Sequence, residues 1–172
     1  MKTKVFKLNP LSLDSIKECQ KQIKQYQVEF QAKMDLFTRR LAEIGVGIAQ
    51  AKAIELDAYY SGTLVSSIDL KRGDVIQHGS NWIIFTDCPY AKYVEFGTGI
   101  IGGLYGSHPL ADEKGWEYDV NNHGIDGWRY LGDDDKWHWT NGTQAKPFMY
   151  ETAFELNFGA YISKVAKEVW GR

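Results

Sequence analysis

Six apolar residues stand seven apart in the first third of the chain: Ile16, Ile23, Phe30, Phe37, Ile44 and Ala51. A companion track runs Leu13, Gln20, Gln27, Met34, Leu41 and Ile48, turning polar at its second and third members. Spacing of seven keeps side chains on one face of a helix, whereas in a strand it would alternate them between two faces. Ser12 suits an N-cap and Asp14 favours the first turn of the dipole. The pattern therefore predicts a helix over 12–54, weakened where Gly45 and Gly47 flank Val46. At about 1.5 Å per residue such a helix is roughly 60 Å long. That is longer than a domain of 172 residues is wide. Its first half is expected to project or to pack on another chain, which makes Ile16, Ile23 and Phe30 candidate interface residues. The alternative is a helix folded back on the sheet of its own chain.

The chain as a whole reads as one domain, 1–172, of mixed helix and strand. Apolar residues make up 44% and charged residues 24%, as in globular proteins. The net charge of −2 gives no overall electrostatic case for nucleic acid. No apolar run approaches the roughly 20 residues of a membrane helix, and no apolar signal core follows the basic start Lys2–Lys7. The expected setting is a cytoplasm or a particle assembled in one. Cys19 and Cys88 form no disulfide framework and read as packed thiols.

Residues 3–8 alternate loosely, as a short strand or extended arm, until Asn9-Pro10 breaks them. Strand patterns follow the helix at 64–70, 75–78 and 82–86, separated by Arg72-Gly73-Asp74 and Gly79-Ser80 turns. Such short turns predict an antiparallel meander, in a sheet of four to six strands. Arg72-Gly73-Asp74 also spells an integrin-type tripeptide, and reads here as a turn. Pro89 opens a helical stretch over 90–96, ended by Gly97. Residues 99–143 are an inserted, glycine-rich excursion whose 128–131 and 136–140 look like the arms of a hairpin. Its Trp116, Trp128, Trp137 and Trp139 belong to pairs at i, i+2 spacing and are candidate anchors for a subunit interface, or else the excursion's own core. Pro147 opens a final amphipathic helix over 148–170, expected to pack on the sheet.

Three short strings carry a resemblance. Tyr90-Ala91-Lys92-Tyr93-Val94-Glu95-Phe96-Gly97-Thr98-Gly99 resembles the central motif of the neck or tail-completion proteins of long-tailed bacteriophages, which sit where head meets tail. Upstream, Ser61-Gly62-Thr63-Leu64-Val65-Ser66-Ser67-Ile68 is similar to a second element of that family, carried by Gly62, Leu64 and Ser67. Downstream, Ala145-Lys146-Pro147-Phe148-Met149 is similar to a third, which opens a last helix. The first 58 residues resemble the family only in being helical, and the excursion departs from its shortest pattern. The resemblance implies a structural protein of a phage or prophage particle. It would be assembled in the bacterial cytoplasm, would join or complete the tail as a homo-oligomeric ring beside other head–tail connector and tail proteins, and would use no catalytic residue, metal or cofactor.

The residues offer little other chemistry. No phosphate loop or nucleophile elbow is present, and Gly97-Thr98-Gly99 precedes no clear helical pattern. His78, His108, His123 and His138 lack metal-ligand spacing. Asp133-Asp134-Asp135 with Asp126 lacks the alternate-residue spacing of a calcium loop and reads as a solvated turn. Glu95 with Asp87 or Asp119 offers the two carboxylates of a small cell-wall glycoside hydrolase, with the tryptophans as a sugar platform. The tryptophans alone suggest a carbohydrate-binding module. The plainer expectation for Glu95 is a carboxylate under aromatics, bonded to amides of the 97–99 turn or to Thr98.

Overall fold

The computed structural model of the chain describes residues 4–58, 62–74, 80–132 and 134–171. The fold is α+β. The long helix is present as α1, Leu13–Glu55, unbroken at Gly45 and Gly47. The Ser12 carbonyl accepts the Ile16 amide at 3.0 Å and its hydroxyl accepts the Ser15 amide at 3.3 Å, the expected cap. The heptad seam is not buried evenly: Ala51 is exposed, whereas Ala42, Ala49 and Ala53 are buried. Alanines let neighbouring elements approach the helix axis closely, so Ala42, Ala49 and Ala53 join Ile48 of the companion track in the contact face. Before α1, the segment from Lys4 forms no strand with the described residues. Phe6 meets Tyr26 edge-on at 6.0 Å, and the Asn9 amide donates to the Ser15 hydroxyl at 2.9 Å.

Among the described residues the strands do not join into one sheet. β1 (Ile68–Arg72) pairs with β2 (Trp82–Thr86), and β3 (Trp128–Leu131) with β4 (Trp137–Thr140). These make two two-stranded antiparallel sheets instead of one larger meander. The expected strand over 64–70 is half helix, because Thr63–Ser67 forms α2. Gly62, at φ 80°, turns the chain into it, and the Ser66 and Ser67 hydroxyls bond back to the Thr63 and Leu64 carbonyls. Burial of Leu64 decides the conformation over the strand preference of its β-branched neighbours. The expected strand over 75–78, with His78, lies outside the described residues, as do Ser61 and Asp133. The final helix is two helices, α6 (Phe148–Phe158) and α7 (Tyr161–Trp170).

The described residues of 1–44, 70–83 and 156–172 form one compact unit, and those of 45–69 and 84–155 a second. In the first, Asp35 accepts from Arg72 at 3.1 Å, from the Trp82 indole at 3.2 Å and from the Ser80 hydroxyl. The Ser80 bond, followed by the Trp82 bond and the Arg72 and Arg39 charges, holds the Asp35 carboxyl below its usual range against a smaller opposing effect of burial. α7 buries Val165 and sets Trp170 against Phe37, with ring centres 4.8 Å apart.

In the second unit, Ala49, Ala53, Ala58, Leu64, Ile68, Cys88, Ala91 and Phe148 form one buried cluster. Leu64 and Phe148 are fully enclosed, each contributing about 1.5–3 kcal/mol of hydrophobic stabilisation. Ile84 of β2 packs against this cluster, which also holds Ile68 of β1 and Phe148 of α6.

Candidate functional site

Pro89 and a Cys88 carbonyl that accepts the Ala91 amide at 3.1 Å start helix α3, Ala91–Phe96. Gly97 ends it at φ 80°. A β-carbon there would stand 2.7 Å from the Ala145 nitrogen and 2.8 Å from the Thr143 oxygen. Two reasons therefore demand glycine, the positive φ and the nearness of another backbone. Contrary to the sequence pattern, a short helix follows directly as α4, Gly99–Tyr105. Thr98 and Gly99 form antiparallel bridges with Thr143 and Gly142, and the Val94 carbonyl accepts the Lys146 amide at 2.9 Å. The segment before Pro147 is thus laid along α3 and its turn.

This juxtaposition delivers Glu95 to the start of α6. Oε2 accepts the Met149 amide and Oε1 the Tyr150 amide, both at 2.9 Å. First-turn amides have no partner inside their own helix. A negative charge placed there also opposes the positive end of the helix dipole. The carboxylate therefore caps α6 from more than 50 residues away in sequence. A third bond reaches Oε1 from His108 Nε2 at 3.1 Å. His108 Nδ1 accepts the Leu110 amide at 3.0 Å, so the neutral ring carries its proton on Nε2 and donates it to Glu95. The imidazole is 4.2 Å from the Phe96 ring centre and edge-on to Tyr150. Trp116 stacks on the other aromatic, Phe96, at 4.9 Å and donates its indole hydrogen to the Gly97 carbonyl.

Glu95 and His108 are both buried. The expected bonds from Glu95 to the 97–99 turn or Thr98 are replaced by bonds to His108, Met149 and Tyr150. The turn amides point elsewhere: Gly97 donates to the Tyr93 carbonyl and Gly99 to Tyr118. The sequence marked His108 only as a histidine without metal-ligand spacing and Tyr118 only as the i, i+2 partner of Trp116, and it passed over Tyr150; the Tyr118 hydroxyl accepts the His108 amide at 2.9 Å. No local spacing marks these contacts, because the partners are remote in sequence.

The other singled-out residues divide by environment. Leu64, Ala91 and Phe148 are core, Ser67 lies 2.6 Å from the Thr86 hydroxyl, and Tyr93 is nearly half exposed at 5.9 Å from Trp116. Tyr90 and Val94 pack against the core cluster, and Pro147 accepts the Glu151 amide at the start of α6. Among the interface candidates, Ile16, Trp116 and Trp128 are half-buried, whereas Ile23, Phe30, Trp137 and Trp139 are exposed. Asp119 accepts the Gly124 and His123 amides, which lower its carboxyl, and Asp134 is lowered chiefly by His138 at 2.8 Å. Among the described residues neither Asp87 nor Asp119 is bonded to Glu95, whose partners are His108, Met149 and Tyr150. Comparison of the chain with protein-family models, with curated proteins and with solved structures gave no match in any of the three.

Proposed function

We propose that the chain is a structural subunit of a tailed-phage or prophage particle. In this reading it joins or completes the tail at the head–tail interface as a ring of identical copies, alongside other connector and tail proteins. One observation carries the reading. The three strings that resemble the neck and tail-completion family, though spread over nearly 90 residues, meet in a single buried cluster: Leu64 and Ile68 from the first, Ala91 from the second, Phe148 from the third. Glu95 of the second string is bonded to Met149 of the third.

The same geometry speaks against the glycoside hydrolase alternative. A catalytic acid must reach a glycosidic oxygen, and the Glu95 oxygens are buried under three N–H donors. A ring of identical chains needs two complementary surfaces per copy, and exposed apolar residues are available on α1 and on the β3–β4 hairpin. Deleting the gene from the genetic element that carries it tests the proposal. The expected lysate holds separate heads and tails by electron microscopy, restored to joined particles by the wild-type chain. Normal joined particles from the deletion would overturn it. Cell-wall digestion by the purified chain that disappears in Glu95→Gln with the fold intact would favour the hydrolase.

A further inference from the structure

The exposed apolar residues of α1 and of the β3–β4 hairpin lie in surroundings of different charge. On β4, Trp137 and Trp139 share a face, and the register sets Leu131 and Arg129 opposite them. Trp137 is 69% exposed and Trp139 59%. The Trp139 indole is nevertheless held, donating to the Asp126 carbonyl at 3.1 Å. Residues 124–140 carry four aspartates against one arginine and one lysine. On α1, Ile23, Val28 and Phe30 remain exposed, with Lys17 and Lys24 directly following Ile16 and Ile23. Residues 4–34 carry six lysines against three acids.

We propose that the Trp137–Trp139 face of one copy docks on the Ile23–Phe30 stretch of α1 in the next copy. The proposal rests on the ring reading and names its contact. Charge decides between the possible pairings. Seam against seam brings two lysine-rich surfaces together, and hairpin against hairpin brings two aspartate-rich ones. Only the mixed pairing joins opposite signs around apolar anchors. A mixed pairing is head-to-tail, and a head-to-tail contact closes into a ring when its rotation permits. Gln20 and Gln27 beside the seam supply polar groups that fix register, and the two indoles supply large rigid anchors.

Two disabled full-length chains provide the test. One carries Lys17→Glu, Lys24→Glu and Ile23→Ser; the other carries Trp137→Thr and Trp139→Thr. Circular dichroism first verifies that both keep the wild-type helix content. By native mass spectrometry, each alone is expected to be monomeric where the wild type assembles. Their equimolar mixture is expected to form one-to-one heterodimers and nothing larger, since each supplies one intact surface. Lys17→Glu/Lys24→Glu alone is expected to weaken association at least about tenfold, and adding Asp126→Lys with Asp135→Lys to recover most of that loss. If the tryptophan variant assembles as the wild type does, or the mixture stays monomeric, the pairing is overturned while the ring stands. A wild type monomeric at every concentration overturns the ring and the pairing together.

Discussion

The Glu95 junction and the front half of α1 use opposite means of holding a shape. At the junction, α3, the residues around His108 and the start of α6 are tied through one buried carboxylate with three N–H partners. Along α1 before Met34, order comes from the helix's own ladder. The segment before α1 adds one edge-on aromatic pair, the Lys4 ammonium over the Tyr26 ring at 5.2 Å, an Asn9–Ser15 hydrogen bond and an exposed Lys4–Glu29 ion pair at 3.5 Å. Buried polar bonds cannot be traded for water, so the junction tolerates few substitutions. The helix front loses little when its outer face changes, and that freedom leaves the face available to a partner.

The largest test of this contrast is Gly97→Val. The positive φ and the nearby 143–145 backbone leave the β-carbon no room, and the expected loss is about 4 kcal/mol or more by urea denaturation. Gly132→Val is the control. The atoms nearest a β-carbon there are side-chain ends of Asp134 and His138, which can move. Equal losses from the two variants would dissolve the distinction between a backbone-locked turn and a hairpin tip.

Glu95→Gln comes next. Its amide oxygen can replace one carboxylate oxygen, but its NH2 then faces an N–H that has lost its acceptor. A buried unsatisfied group costs about 1–3 kcal/mol. The thermal midpoint should fall accordingly, and Glu95→Ala should lower it further. A midpoint unchanged in Glu95→Gln would mean that the carboxylate is not the tie described here.

A pH titration of stability reads the first unit. The folded Asp35 carboxyl sits below its ordinary value of 3.8. Its contribution is therefore fully present above about pH 4 and is lost as pH falls through the lower folded value. Asp35→Asn should remove that part of the acid-side slope and leave stability above pH 5 independent of pH to the same degree as before. An identical acid limb in both proteins would show that the Arg72, Ser80 and Trp82 bonds do not favour the charged form.

The smallest expected effect is Ile23→Ser measured on the monomer. Ile23 is 39% exposed, and an exposed substitution away from caps and cores moves stability by about 0.5 kcal/mol or less. Association should weaken far more than unfolding does. A loss above about 2 kcal/mol in the dilute protein would make Ile23 part of an intramolecular core and erase the contrast between the two regions.

Sequence alone determined what depends on near neighbours. Heptad spacing gave α1 almost to the residue, Pro89 and Gly97 bracketed α3, and the aromatic alternation around 132–135 gave the β3–β4 hairpin. Each of these follows from backbone geometry repeated over a few residues. The tertiary structure decided the rest. It made 63–67 helical to bury Leu64, divided the final helix near Gly159, added Ala42, Ala49 and Ala53 to the α1 contact face beside Ile48, and among the described residues paired the strands in twos. It also chose the partners of Glu95. The glutamate's place before Gly97 marked it as buried, but His108, Met149 and Tyr150 lie 13, 54 and 55 residues away. A buried carboxylate requires donors, and nothing in its own neighbourhood specifies which donors the folded chain will bring.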